Sequence, residues 1–195
     1  MNSIEKLIES FSKFPGIGRR VATRFAYYLA KISNSEFEEL ISRLHNLRKT
    51  IKLCTFCFNI FESENEKFCP ICSDKTRDKS ILCIVEKESD LEAIEKTKRY
   101  KGIYFVLGGT VSLKKEINSI RITELQKRIE KLTTLKEIII ATNFTPEGEA
   151  TSLYIERKTK RPGIKITRLS RGMPVGGELE YADIETIESS LSKRS

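Results

Sequence analysis

Four of the five cysteines fall between positions 54 and 72, as Cys54-Thr-Phe-Cys57 and Cys69-Pro-Ile-Cys72, with residues 58–68 between the pairs. Two Cys-x-x-Cys knuckles bring four thiolates within reach of one tetrahedral ion, Zn²⁺ above all. Pro70 suits the rigid turn of the second knuckle. Four thiolates leave no position open for water, so an ion held this way is structural. It would stabilise a segment too short to build its own core, and removing it would unfold that segment. Four reduced thiols, a redox pair or an iron–sulfur cluster are the alternatives. The clustering speaks against a secreted disulfide framework and for a reducing compartment. Cys83 is separate. It lies inside Ile81-Leu-Cys-Ile-Val85, an apolar run, as a small core residue.

The chain around this cluster has 195 residues, enough for one domain or two small ones, each with a core. It is 39% hydrophobic and 32% charged, the balance of a soluble, charge-rich protein. The first ten residues carry two glutamates and no long apolar stretch, so they do not form a signal peptide. No run approaches the roughly 20 apolar residues that cross a bilayer, and the expected location is the cytoplasm, with no membrane partner. The formal net charge is +8. A Lys-rich proteome would explain it; so would a polyanionic partner, since cations that neutralise phosphates release counterions.

Ile4, Leu7, Ile8 and Phe11 recur at helical spacing, which predicts an amphipathic helix over 3–13. Phe14-Pro-Gly-Ile-Gly18 breaks it. Val21, Ala22, Phe25, Ala26 and Leu29 then line a second helix. Helix, Gly-Ile-Gly turn and helix is the pattern of a helix-hairpin-helix module, whose turn leaves backbone N–H groups free to hold a phosphate. Arg20 and Arg24 are four apart, hence on one face, with Lys13 and Arg19 beside them. These four are the candidate DNA contacts, gripping phosphates without reading sequence. The bland alternative is a helical hairpin with a solvated basic face, or one used for dimerisation. Ser35-x-x-Glu38 reads as a capping box opening a third helix, with Phe37, Leu40, Ile41, Leu44 and Leu47 as its apolar stripe. The single histidine, His45, lies mid-helix and is assigned no role.

From residue 80 the periodicity changes. Strands are expected at 81–85, 103–107, 137–141 and 163–169, and helices at 89–98, 123–132 and 151–160. Such alternation predicts a parallel sheet with helices on both faces. Glu86 and the loop after Ala141 would then share the carboxyl edge of neighbouring strands, where open α/β sheets place ligands. Acids converging there could bind Mg²⁺ for phosphoryl transfer. The arrangement resembles the Toprim domain of topoisomerases, primases and some nucleases, which carries a Glu after its first strand and an Asp-x-Asp after a later one. Here the Asp-x-Asp positions hold Asn143-Phe144-Thr145, neutral groups that contribute no charge to a divalent ion. The acids that persist are Glu86, Glu147 and Glu149. A solvated loop capping the next helix is the plain reading; an acidic patch for a protein partner is the one favoured here.

The C-terminal segment opens on Arg171-Gly-Met-Pro-Val-Gly-Gly177, a loop by composition, followed by an amphipathic helix through Ile184, Ile187 and Leu191. The strings Cys-Ser-Asp-Lys-Thr-Arg-Asp (72–78), Val-Leu-Gly-Gly (106–109), Ala-Thr-Asn…Glu-Gly-Glu-Ala-Thr (141–151) and Pro-Val-Gly-Gly-Glu-Leu-Glu-Tyr-Ala-Asp (174–183), with the order of modules, closely resemble the bacterial RecR family of recombination mediators over nearly the full length. After Gly109 that family carries an Asp-Gly-Ile-Gly-Pro segment, whereas this chain has Leu113-Lys-Lys-Glu-Ile-Asn118. The resemblance implies an α+β multidomain chain: a helix-hairpin-helix domain (1–53), a four-Cys zinc finger (54–76), a Toprim-like α/β parallel-sheet domain (77–172) and a C-terminal loop and helix for oligomerisation (173–195). It implies a non-enzymatic role in DNA repair, with RecO and in some settings RecF, loading the RecA recombinase on gapped single-stranded DNA. It also implies homodimers or ring-like homotetramers that can encircle DNA. By the same resemblance the hairpin DNA contacts fall on Arg20 and Arg24, the zinc ligands on Cys54, Cys57, Cys69 and Cys72, and the partner-binding acids on Glu86, Glu147 and Glu149. Two readings compete with it: a Mg²⁺-dependent Toprim nuclease or topoisomerase, and a scaffold that reaches DNA only through partners.

Overall fold

Three helices make up the first of two units, Met1–Ile51, and a parallel sheet with its coverings makes up the second, Lys52–Ser195. The computed structural model describes residues 2–111, 120–170 and 172–192. The divergent segment 113–118 and Arg171 lie outside the described residues.

In the first unit α1 (Ser3–Ser12) is capped by Asn2, whose side chain accepts from the Glu5 N–H at 2.8 Å. It packs on α2 (Arg19–Leu29) through Ile8, Ala22 and Ala26, all buried, with Leu7, Phe11 and Ile17 around them. The two alanines have no bulk beyond Cβ, so the helices approach closely. Gly16 turns the chain between them at φ +75°, a left-handed conformation that suits glycine.

The third helix, α3 (Asn34–Thr50), starts two residues before the sequence expectation. Ser33 is its cap and Glu36 the partner in the box: Ser33 Oγ accepts from the Glu36 N–H at 3.2 Å, and the Ser33 N–H donates to Glu36 Oε2 at 3.0 Å. Ser35 and Glu38 satisfy the same pattern on paper. The turn after α2 decides between them, because Lys31 and Ile32 both donate to the Tyr28 carbonyl and leave Ser33 as the first extended residue. An extended backbone is what a cap requires. No residue of α3 is buried; Phe37, Leu40, Leu44 and Leu47 of the expected stripe are exposed.

Next along the chain come β1 (Ile51–Leu53), whose first residue closes the first unit, and β2 (Ile60–Glu62), which pair as a two-stranded sheet, and a single turn, α4 (Pro70–Ser73). Then follow β3 (Asp78–Val85), α5 (Glu88–Lys96), β4 (Gly102–Val106), α6 (Ile122–Lys131), β5 (Glu137–Ala141), α7 (Pro146–Thr159) and β6 (Lys165–Arg168). The chain closes with a 3₁₀ turn at Leu179–Tyr181 and α8 (Ile184–Ser192). The four long-range strands run in the order β4-β3-β5-β6, every pairing parallel, as strand–helix alternation predicts.

Neighbouring residues on β3 face opposite sides of the sheet. Leu82 and Ile84 join Phe105, Ile138 and Ile140 under α6 and α7, which contribute Leu125, Ile129 and Ile155. Cys83 and Val85 join Tyr104, Val106 and Leu91 of α5 on the other side. Cys83 is thus the small core residue expected, and burial pushes its thiol up to about 12.

The four-cysteine segment packs onto this second face. Cys54, Cys57, Cys69 and Phe61 belong to one apolar cluster with Cys83, Val85 and Tyr104. Strand β4 is an edge of the sheet, and the Val106 N–H donates to the Cys57 carbonyl at 2.8 Å, so the knuckle covers part of that edge.

Helix α7 also begins earlier than expected, at Pro146 and not near residue 151. Thr145 caps it, accepting from the Gly148 N–H at 3.1 Å, and Pro146 occupies the first turn, where its missing N–H has no cost. Pro and Gly in Thr-Pro-Glu-Gly-Glu read as loop, but here they start a helix.

Candidate functional site

Three constellations carry chemistry. The first is the cysteine cluster. The Sγ atoms of Cys54, Cys57, Cys69 and Cys72 all lie within 4.8 Å of one another, and three of the four residues are fully buried. Two backbone N–H groups point at sulfur: Asn59 at Cys57 Sγ and Cys69 at Cys54 Sγ, both at 3.4 Å. Such donors favour thiolate over thiol. Hydrogen bonds from Cys57, Cys69 and Cys72 drive the Cys54 thiol down, while its three neighbours push Cys72 up. Four sulfurs at this spacing, with N–H donors already aimed at them, fit a tetrahedral metal with Zn–S bonds near 2.3 Å. Phe58 reaches φ +61° to close the first knuckle. Its ring rests edge-on against Phe105, 5.2 Å between centroids.

The second lies where the strand order reverses. β3 leads to β4 on one side and the chain returns to β5 on the other, so the carboxyl ends of β3 and β5 form a switch point. Glu86 leaves the end of β3 and is 7% exposed. Its carboxylate accepts from the Asn143 backbone N–H at 2.7 Å and from Asn143 Nδ2 at 2.6 Å. Asn143 thus supplies both donors to this carboxylate, one from its backbone and one from its side-chain amide. Gly148 lets the first turn of α7 sit against this pair, since an added Cβ would collide with the Asn143 carbonyl and come within 2.9 Å of Glu86 Oε1. Gly148→Ala is therefore expected to lower stability by about 2–3 kcal/mol, the scale of an overpacked core, read from denaturant midpoints at constant m.

Glu147 and Glu149 stand in that first turn, where the positive end of the helix favours carboxylates. They were expected in a loop. Glu149 pairs with Arg168 of β6 at 2.7 Å, and Glu147 is exposed. Among the described residues, the cysteine quartet is the one group of three or more acidic, histidine or cysteine side chains whose ligand atoms could share an ion. Glu86, Glu147 and Glu149 line one sheet edge without converging.

The third is the hairpin. α2 starts at Gly18 with no side-chain cap on its first turn, which leaves N–H groups there open to an anion. Arg20 and Arg24 are exposed and enter no ion pair among the described residues. Lys13 is exposed at the end of α1. Arg19 differs: its guanidinium is paired with Glu5 across the hairpin.

Residues 4–48 match the family described as RecR, helix-hairpin-helix; residues 80–170 match the Toprim domain; residues 172–195 match RecR, C-terminal. Recombination protein RecR of Endomicrobium trichonymphae is 42% identical over 193 residues, covering 98% of this chain and 96% of that protein. Proteins of the same name from Lactococcus lactis subsp. cremoris and Lactiplantibacillus plantarum match at the same identity and coverage. The chain belongs to the RecR family.

Within this RecR-family chain the sequence pointed to the four cysteines, which the fold brings together. It missed the partners that decide the other sites. Asn143 was legible only as a lost acid, although it lies 57 residues from Glu86 and holds it. Arg168 and Gly148 carried no local signal. Arg128 was also missed; it donates to the Thr55 carbonyl at 2.8 Å and lies over the Phe56 ring at 4.1 Å, tying α6 to the first knuckle. No helix among the described residues is long and apolar enough to cross a membrane.

Proposed function

We propose that this chain is a non-enzymatic, DNA-binding recombination mediator of DNA repair, acting with RecO, and with RecF, to load RecA on gapped single-stranded DNA in the cytoplasm. Arg20 and Arg24, with Lys13 beside them, hold phosphates at the open N-terminus of α2; Arg19, shared with Glu5, contributes less. Zn²⁺ is the ion of the four cysteines and is structural, because four thiolates leave no site for water. Glu147, with Glu86 and Glu149 behind it, presents the acidic edge to a protein partner. The division into 1–53, 54–76, 77–172 and 173–195 is the division of labour we assign. Self-association into a dimer or ring is supported by α3, whose exposed Phe37, Leu40, Leu44 and Leu47 recur at the 3-4-3 spacing of a helix–helix seam.

The observation that carries the DNA reading is an uncapped helix start beside Arg20 and Arg24, which enter no ion pair among the described residues, in a RecR-family chain. The Mg²⁺-dependent nuclease or topoisomerase reading needs carboxylates free to converge on an ion. Glu86 is instead held by Asn143, and Glu149 by Arg168.

A titration of single-stranded and gapped DNA over salt tests this. We expect log K to fall steeply with log salt, and Arg20→Ala with Arg24→Ala to flatten the slope by about 1.4–1.8, near 0.7–0.9 per phosphate contact, on every sequence tried. Affinity indifferent to salt, or cleavage of DNA that Glu86→Gln abolishes, would overturn it.

A further inference from the structure

We propose that the groove between α6 and the first cysteine knuckle holds a phosphodiester of bound polynucleotide, a second contact besides the hairpin; it rests on the DNA-binding reading above. The groove has a volume of about 180 Å³ and is lined by Phe58, Glu124, Lys127, Arg128 and Lys131. That is below the ~300–1,000 Å³ of pockets that enclose a small organic ligand, so an occupant here is a group projecting from something larger.

Its chemistry selects an anion. Three of the five lining side chains are cations and one is an acid. Lys127 and Lys131 lie one helical turn apart, side by side on the surface, and neither enters an ion pair among the described residues. Arg128 stands beside them on the same helix, with its guanidinium fixed by Phe56 and the Thr55 carbonyl. Its buried Nε has no hydrogen-bond partner among the described residues.

The opposite side of α6 differs. Glu130 is paired with Arg161 at 3.1 Å, and Gln126 Nε2 donates to the Lys158 carbonyl at 3.3 Å, so the polar groups facing α7 are satisfied internally. Lys127 and Lys131, on the groove, enter no ion pair among the described residues. A strand of phosphates complements a pair of unneutralised lysines beside an immobilised arginine, and it imposes no sequence. The groove lies in the second unit, with the hairpin arginines in the first, so the two contacts can be removed separately.

The test measures DNA affinity over salt for the full chain, for Arg20→Ala with Arg24→Ala, for Lys127→Ala with Lys131→Ala, and for Glu124→Lys. Lys127→Ala with Lys131→Ala should weaken binding about tenfold or more at low salt and flatten the slope by about 1.5, while the melting temperature stays within a few degrees. Glu124→Lys should tighten binding several-fold and steepen the slope by about 1, a gain that misfolding cannot imitate. If the hairpin pair weakens binding and both groove variants keep the parent slope, this proposal fails and the mediator reading stands; an acidic protein partner would then be the groove's occupant. If the parent chain does not bind DNA, both fall together.

Discussion

Stripping the ion proposed for the four cysteines with a strong chelator, or replacing Cys57 by alanine, is expected to lower the melting temperature of the sheet-containing unit by on the order of 10 °C or more. The reason is the continuity of the core. Cys54, Cys57 and Cys69 are fully buried in one cluster with Cys83, Val85, Tyr104 and Leu91, so the knuckle is a wall of the main core. Metal binding in small four-ligand modules contributes about 10–16 kcal/mol of apparent free energy, which is folding free energy where the unliganded segment does not fold. Only part of that is lost here, since the sheet retains α5, α6 and α7. A loss of about 4–5 kcal/mol at roughly 2–4 °C per kcal/mol gives the stated shift. Opening the knuckle would also free the Val106 N–H on edge strand β4 and expose Phe56 and Phe58, so aggregation should accompany unfolding. Metal content separates this from ordinary core damage. Each of the four ligand substitutions should abolish the single bound ion, whereas Cys83→Ala should keep it and shift melting by only a few degrees. One ion retained in Cys57→Ala would contradict the assignment.

Asn143→Asp should destabilise the switch point in a pH-dependent way. The substitution puts a second carboxylate where Nδ2 now donates to Glu86 at 2.6 Å, and Glu86 is almost fully buried. Two carboxyls at that distance resist joint ionisation, so the pair titrates with one value raised above the usual carboxylate range. A carboxyl whose folded pKa is raised binds its proton more tightly in the folded state. The deficit relative to the parent chain is therefore absent below about pH 4, grows as pH rises through the raised value, and is constant above it. Asn143 is itself open to solvent, which screens part of the repulsion, so a deficit of about 2–3 kcal/mol at pH 7 is expected, near 1.4 kcal/mol per pKa unit. Chemical denaturation between pH 4 and pH 8 measures it. Millimolar Mg²⁺ should recover part of the loss in Asn143→Asp and change nothing in the parent, because only the variant offers an ion paired carboxylates. A deficit independent of pH would mean that the amide acts by packing and not as the hydrogen-bond donor to Glu86.

Legibility from the sequence followed the range of the interaction. The hairpin, the two knuckles and the strand–helix alternation are set by residues a few positions apart, and each strand expected in the body is present, with Glu137–Ala141 at its expected bounds. Errors arose where two local solutions compete. Ser33-x-x-Glu36 and Ser35-x-x-Glu38 are equivalent as strings, and the turn closed on the Tyr28 carbonyl chose the first. Thr145-Pro-Glu-Gly was ambiguous because Pro and Gly serve loops and helix starts alike, and the Thr145 cap settled it.

The apolar stripe of α3 marks another limit. Spacing predicted the helix and its face, yet among the described residues no side chain of that helix is buried, since amphipathicity says what a surface needs and not where it finds it.

The sequence by itself determined the four-thiolate donor set, the helix-hairpin-helix and the parallel α/β body, because these follow from residue type and short spacing. Only the tertiary structure decided that Asn143 satisfies Glu86 from 57 positions away and that Arg128 is fixed by the Thr55 carbonyl from 73. Those meetings are set by the β4-β3-β5-β6 strand order, which brings the ends of β3 and β5 together and lays the knuckle over an edge strand. Strand order is a property of how whole elements pack, and no window of sequence encodes it.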